Sequence, residues 1–189
     1  MSAYLPCRPR ELMLSLLFPT MVEVSGLFGD VPHEGHLSGV ETVFADPEMM
    51  KGIGGVRPPE AAKAFIGRER KHWREHSFGI WFFRDLETGS FAGWGGIRRT
   101  QLDHDDVVEL LYSLTPEHWG RGCATEIGKL ATQLGFENLG LTEIVGFVLP
   151  ENTRSEGVML RCGFAFEQQI ERAGLKHGLF RLKVGPRRG

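Results

Sequence analysis

Cysteine is scarce in this chain: three residues in 189, at Cys7, Cys123 and Cys162. So few, and an odd number, cannot build a disulfide framework, which points to a reducing cytoplasm. Charge of one sign is not in excess either. A formal net charge of -2 removes the electrostatic case for a nucleic-acid partner. No apolar run reaches membrane-spanning length, so no membrane partner is expected. Arg8 and Arg10 ahead of Leu12-Met13-Leu14-Ser15-Leu16-Leu17-Phe18 imitate a signal peptide, but Glu11 interrupts the segment, Pro19 follows at once and no A-x-A cleavage site is present. Repeats and low-complexity tracts are absent too. What remains is an ordinary globular composition, 41% hydrophobic and 24% charged, at a length suited to one domain over residues 1–189.

The densest information lies at Trp119-Gly120-Arg121-Gly122-Cys123-Ala124-Thr125-Glu126. Ahead of it, Val107 to Leu114 is a β-branched and apolar run of strand length. Behind it, Ile127, Leu130, Ala131 and Leu134 recur at helical spacing. The order is strand, glycine-containing loop, helix. Glycines admit a ligand close to the backbone, and a helix start offers unpaired N–H groups at the positive end of its dipole. That arrangement suits phosphate. A P-loop is excluded because Gly128-Lys129 is misplaced and Leu130 follows it. A dinucleotide fingerprint is excluded because Thr125 stands where a third Gly or Ala belongs.

The remaining elements frame this loop. Arg10 to Phe18 alternates like a first strand, and Val22 to Val40, with its glycines and histidines, reads as a loop. Pro58-Pro59-Glu60 opens a helix running from Ala61 to His76. Phe78–Arg84 and Ser90–Arg98 read as a hairpin about Asp85 to Gly89, and Asp103 to Asp106 as a polar loop. Helix Thr125–Leu139 and strand Glu143–Leu149 complete a strand–helix–strand unit, which favours a parallel pair. A short helix after Asn152 stops at Gly163, and Phe164–Glu171 with Leu179–Val184 form a closing hairpin. The fold class is α/β, a mixed sheet with helices on its faces.

Gly122 and Ala124 fit the last two defined positions of the phosphate turn [QR]-x-x-G-x-[GA] of the GNAT N-acetyltransferases, with Trp119 in place of Gln or Arg. Pro150-Glu151-Asn152-Thr153-Arg154-Ser155 and the later Cys162-Gly163-Phe164 resemble that superfamily's N-x-x-S turn and terminal G-F. The string W-G-R-G-C-A-T-E resembles the RimJ/RimL-type branch, which acetylates protein N-termini and related amines. The resemblance is readable over residues 44–184 and weak over 1–43. It implies a mostly antiparallel sheet with a splayed parallel pair at its centre. It also implies acetyl-CoA as co-substrate and an amine acceptor, without a metal, in a monomer or homodimer.

By position, the resemblance assigns Trp119, Gly120, Arg121, Gly122, Cys123, Ala124 and Thr125 to the pyrophosphate and Ser113 and Leu114 to pantetheine. A main-chain N–H near Ser113 is the donor expected to face the thioester oxygen. Glu109 is the candidate base, because a carboxylate in an apolar strand costs free energy unless paired or useful. A salt-bridged strand Glu is the alternative. Asn152 has two roles open to it, bonding the pantetheine amide or capping the following helix. Many members carry a tyrosine acid on that helix. Val158, Met159, Leu160, Arg161 and Cys162 include none, which leaves Ser155 or water to serve the departing sulfur.

A zinc reading rests on His72-Trp73-Arg74-Glu75-His76, an H-x-x-E-H string with no evident third ligand, and a solvated helix face is the expectation instead. His33-Glu34-Gly35-His36 lacks helical zinc spacing. The acceptor is expected in a cleft lined by the first hairpin, the helix from Ala61 and the segments 28–36 and 173–178. A protein α-amine is favoured by the branch resemblance; an amino acid, a polyamine and an aminoglycoside are also compatible. An idle acetyl-CoA-binding sensor is the reading from another class.

Overall fold

The structure, a computed structural model, describes residues 17–51 and 54–185. The strand expected over Arg10 to Phe18 lies almost wholly outside the described residues. Its last two residues, Leu17 and Phe18, are not in a strand, and Phe18 stacks on Trp81 with ring centroids 4.8 Å apart.

The segment read as a loop is folded. Strands β1 (Met21–Val24) and β2 (Leu27–Asp30) pair antiparallel around Ser25 and Gly26, whose φ values of 53° and 76° make a two-residue turn matching strand twist. A single 3-10 turn then leads into α1 (Leu37–Ala45). Four-residue strands are too short to display a period, which is why the pattern concealed them. The short α2 (Pro47–Lys51) follows. Helix α3 (Pro59–His76) starts at the expected prolines and buries Ala62, Phe65, Ile66, Glu69 and Trp73 along one stripe.

Strands β3 (Ile80–Asp85) and β4 (Phe91–Leu102) form the expected hairpin. The acidic segment read as a loop is half strand: β5 spans Asp105–Leu114, leaving Asp103 and His104 to turn. Then come α4 (Cys123–Asn138), β6 (Glu143–Val148), α5 (Thr153–Arg161) and the hairpin β7 (Ala165–Arg172) with β8 (Leu175–Lys183). The eight strands of the described residues make one sheet in the order β1-β2-β3-β4-β5-β6-β8-β7, antiparallel except for β5 with β6.

Helices cover both faces. Val43 and Phe44 of α1 and Phe65 of α3 pack on Ile80, Phe82 and Trp94; Ile127 and Ala131 of α4 and Met159 of α5 pack with Trp81, Phe83, Leu110 and Ile144. Strand β3 alternates between the two cores, so its continuous apolar run is buried on both sides. Helix α4 lies close to the sheet because Gly128 carries no side chain there: a Cβ would come within 2.7 Å of the Cys162 sulfur.

One polar group interrupts the α3 stripe. Glu69 is 1% exposed, and its Oε1 accepts from Arg98 Nη1 at 2.6 Å and from Arg68 Nε at 3.0 Å. Arg98 also donates from Nε to Glu109 Oε1 at 2.7 Å, directly across the β4–β5 register. Burial opposes the charge on Arg98, and the Glu109 and Glu69 carboxylates outweigh it, raising the guanidinium above its ordinary pKa. Removing the shared cation leaves two carboxylates under α3 without it. Arg98→Met is therefore expected to cost about 3–5 kcal/mol in chemical denaturation. A cost within about 1 kcal/mol, the range of surface pairs, would show that the triad does not hold α3 to the sheet.

The entry to α1 depends on pH. His33 Nδ1 accepts from Gly35 N at 3.0 Å, and His36 Nδ1 accepts from the main chain of His33 at 3.2 Å. Protonating either nitrogen destroys an acceptor. Burial, then the neighbouring His33, push His36 down to about 4 against the pull of Asp30. A folded-state pKa below the unfolded 6.5 means that this stability is complete above about pH 6.5 and is lost as pH falls toward 4. Thermal melting should decline across that window, and less steeply in His36→Asn. Equal slopes in the two proteins would refute the linkage.

Candidate active site

The sheet opens beside Glu109. Strands β5 and β6 pair at one register only, Glu109 with Val145, and no ladder pair joins them beyond it. On its other edge β5 stays paired with β4 as far as Leu114 opposite Gly93. Thr115 N donates to Ala92 O, so by alternation Ser113 opposite Trp94 is also a bonded pair, with its main-chain groups turned to β4. A Cβ on Gly93, where φ is +124°, would run into that Ser113 carbonyl. The N–H and C=O groups facing the fork are those of Tyr112 and Leu114. The side chains alternate the other way: Leu111 packs toward the α1–α3 core, while Leu110, Tyr112 and Leu114 belong to the α4–α5 core.

The loop at the end of β5 is clamped on both sides. His118 is buried, with Nδ1 2.9 Å from Thr115 Oγ1 and Nε2 3.1 Å from Asp85 Oδ2, tying the loop to the β3–β4 turn. The Thr88 main-chain N–H and then His118 hold Asp85 down to about 2. Trp119 donates its indole N–H to Leu114 O at 2.6 Å, and the Arg154 guanidinium from α5 lies 4.6 Å above its ring. Trp119 is thus a structural bolt, with a cation supplied from across the fork. Gly120 and Gly122 have φ of 70° and 83°, and a Cβ on either would meet nothing within 4 Å. They are required by conformation and face open space.

Gly122 is the N-cap of α4 and no side chain caps that end. The first intrahelical bond is Glu126 N to Gly122 O, so the N–H groups of Cys123, Ala124 and Thr125 precede the ladder. Their side chains serve packing instead. Cys123 and Thr125 are buried, Ala124 rests on the core, and Thr125 Oγ1 accepts from Arg161 Nε at 3.2 Å. Arg121 is exposed beside them. The result is an uncapped helix start at the fork's mouth, which suits an anion.

Glu109 sits at the hinge, 5% exposed, and is not the isolated carboxylate that an apolar strand suggests. Arg98 bonds its Oε1, and Arg172 Nη2 stands 3.8 Å from its Oε2. Arg172 reaches there from the end of β7 while lying 4.0 Å over the Phe147 ring, which brings the last hairpin over the hinge. Asn152 caps α5, its Oδ1 accepting from Ser155 N at 3.1 Å. Ser155 Oγ is 2.9 Å from the Tyr112 hydroxyl, which also lies 3.0 Å from Ser155 O. Burial pushes the Tyr112 phenol well above its usual pKa. A tyrosine does meet this turn, then, but from β5 and not from the last helix.

Among the residues that sequence reasoning missed, Glu69 carried a signal, since it lies on the buried stripe of α3. Arg98 and Tyr112 carried none, because only register and the packing of α5 bring them to their partners. The zinc string is spent on structure: His72 Nε2 accepts from Arg99 N at 2.9 Å, and Glu75 pairs with Lys71. Asp30, His33 and His36 cluster closely enough to hold a metal. However, both Nδ1 atoms accept main-chain N–H groups, which puts the ring protons on the Nε2 atoms that face Asp30. Cys162 is a core residue whose thiol burial pushes up to about 11. No helix among the described residues is long and apolar enough to cross a membrane.

Residues 31–165 match a family model described as an acetyltransferase (GNAT) domain. YoaA, an uncharacterized N-acetyltransferase of Bacillus subtilis, is 33% identical over 137 residues, 71% of this chain and 77% of its own length. The FsC-acetyl coenzyme A-N(2)-transacetylase of Aspergillus fumigatus is 29% identical over 127 residues, covering 62% of this chain and 53% of that protein, so the match spans about half of it. RimL, a ribosomal L7/L12 alpha-N-protein acetyltransferase solved with coenzyme A, shares the fold at a TM-score of 0.72 and 11% identity, covering 87% of this chain and 98% of that one. With a family model spanning well over half its length and a fold that overlays on RimL, this chain belongs to the GNAT family of acetyltransferases.

Proposed function

We propose that the chain transfers acetyl from acetyl-CoA directly to a primary amine, and that the amine is the α-amine of a protein or peptide. The observation that carries the reading is the fork beyond Glu109 and Val145 with an uncapped helix start at its mouth. A thioester tail running between two strands needs unpaired main-chain groups beside it, and a pyrophosphate needs unpaired N–H groups at its end. The fork and the start of α4 have both. The Tyr112 and Leu114 N–H groups are the donors that a thioester oxygen would meet there.

In the reaction the nitrogen attacks the carbonyl carbon, a C–N bond forms and the C–S bond breaks with its electron pair on sulfur. Nitrogen gives up one proton and sulfur gains one. Glu109 collects the proton through a water on its Oε2 side, since Oε1 is bonded to Arg98. Ser155 donates a hydrogen bond to the departing sulfur. The α-amine acceptor is supported by RimL, which acts on a protein α-amine. A small-molecule amine is the second reading, favoured by the likeness to the Aspergillus transacetylase.

Thiol release from acetyl-CoA across peptides with free α-amines, polyamines and aminoglycosides tests the acceptor. Peptides should be the best substrates, and turnover confined to a small amine would establish the second reading. Binding of acetyl-CoA without thiol release on any of these acceptors would indicate an idle binding domain.

Two substitutions test the site. Gly122→Glu places a bulky anion at the start of α4 and should abolish acetyl-CoA binding, measured calorimetrically, while circular dichroism stays native and Gly122→Ala, which strains the same φ of 83° without the charge, keeps more of the affinity. Undiminished affinity in folded Gly122→Glu would refute the phosphate assignment. Glu109→Gln should lower kcat at neutral pH by about 10²-fold or more with acetyl-CoA affinity preserved. Full turnover across the pH range would mean that Glu109 serves only the triad.

A further inference from the structure

We propose that the amine acceptor carries a carboxylate on its first or second residue, received by Arg172 at the tip of the last hairpin. This deepens the reading above and rests on an amine placed beside Glu109. Arg172 ends β7 and is returned to Leu175 through a tight turn at Ala173 and Gly174, whose φ values are 51° and 76°. Its Nη2 donates to Thr100 Oγ1 at 2.7 Å and its Nη1 to Gln101 O at 3.3 Å, both on β4. The guanidinium also lies 4.0 Å over the Phe147 ring of β6. It is therefore fastened on both sides of β5, the strand that carries Glu109. A long side chain anchored in this way has already lost much of the freedom that holding an anion would cost.

Only part of that guanidinium is used. An arginine has five N–H donors, and two of those on Arg172 go to β4; the others have no hydrogen-bond partner among the described residues. Glu109 Oε2 stands 3.8 Å away, an ion pair beyond hydrogen-bonding distance, and 29% of the Arg172 side chain is exposed. Charge points the same way. Glu69 and Glu109 share Arg98, and Arg68 and Arg172 flank them, so three guanidinium groups serve two carboxylates. Oε1 of Glu109 is bonded to Arg98, which makes Arg172 the cation on the Oε2 side, where the nitrogen would approach.

A cation in that place sorts acceptors. An ammonium is repelled there, which favours a nitrogen that is neutral near physiological pH. An α-amine has a pKa of about 7.7–8.0 and a lysine amine about 10.4, so the first gives up its proton more readily. A polycation adds repulsion. A carboxylate close to the nitrogen does the opposite, since Arg172 can bind both of its oxygens while the nitrogen lies against Glu109. Reach limits the position. Oε2 and Nη2 are 3.8 Å apart, about the advance of one residue, which places the carboxylate on the first two residues of the acceptor.

Thiol release by the full-length protein is measured on two peptides that differ only by Asp or Asn at the first residue, and on a second pair that differs at the second. Wild type should favour the Asp peptide of at least one pair by about tenfold in kcat/KM, mostly through KM, the scale of a hydrogen bond to a charged group. Arg172→Gln should bring that ratio close to one. Arg172→Lys should keep part of it, because the charge remains while the paired donors are lost. Arg68→Gln, on the far side of Glu69, should leave the ratio unchanged. Both peptides are read on the same protein, so a loss of folded enzyme cancels in the ratio.

Equal rates for Asp and Asn in both pairs would overturn the inference and leave acetyl transfer standing. So would an Arg172→Gln variant that slows both peptides alike, since Arg172 would then only balance Glu109, or a preference lost in Arg68→Gln instead. Turnover confined to small amines would refute the peptide acceptor; an amino acid and its amide, compared per free-base amine, then give the ratio that decides for or against Arg172. No turnover of any amine would remove the transfer reading and this inference together.

Discussion

The parallel pair in the middle of the sheet closes at a single register, and the proposed chemistry depends on that. A sheet normally pairs every main-chain group, and an unpaired strand edge inside a fold is costly. Here β5 keeps its full ladder with β4 and gives up the other edge beyond Glu109. The Glu69–Arg98–Glu109 triad anchors the hinge to α3. Leu114 O is taken by the Trp119 indole, and the remaining main-chain groups of Tyr112 and Leu114 on that edge, which no strand pairs, are the ones the proposed function gives to a ligand.

The loop after β5 is rigid where a glycine-containing loop would otherwise be mobile. His118 links Asp85 to Thr115, and Trp119 bonds Leu114 and lies beneath Arg154. These contacts fix the backbone of Gly120 to Gly122, so the start of α4 presents its N–H groups in a set direction without any side chain of its own. Preorganised dipoles lose little on binding, whereas a loop ordered by its ligand would spend part of the interaction on being ordered.

Much of this was legible in the linear chain. The strand, loop and helix around Gly122, the proline-started α3 and the Asn152 turn were read near their observed bounds, because each has a full period or a specific terminator. The hairpins of β3 with β4 and β7 with β8 were recognised with one strand of each four residues short: β4 runs on to Leu102 and β8 starts at Leu175, within the segment 173–178 read as a loop. The hairpin of β1 and β2 was missed for want of length. The turn at Asp103 was overestimated because the β4–β5 end projects into solvent and polar strands resemble loops. Glu109 was recognised as unusual from its apolar neighbours, yet its partner could not be named, since Arg98 lies eleven residues away and becomes adjacent only through the register of the hairpin.

What the sequence by itself determined is local: which segments become helices and strands, where the backbone needs glycine, and the motif order that puts a glycine loop between β5 and the uncapped start of α4. These follow from side-chain period, φ preference and capping, all of which act within a few residues. What only the tertiary structure decided is which groups meet across the fork. Tyr112 reaches Ser155, Arg154 covers Trp119, and Arg172 approaches Glu109, because strand register and the packing of α5 and the last hairpin bring distant residues within bonding distance. The missing tyrosine on the last helix was a correct reading of one segment. That a tyrosine stands there anyway is a consequence of the fold, since a hydroxyl can be supplied by any strand that points at the same few ångströms of space.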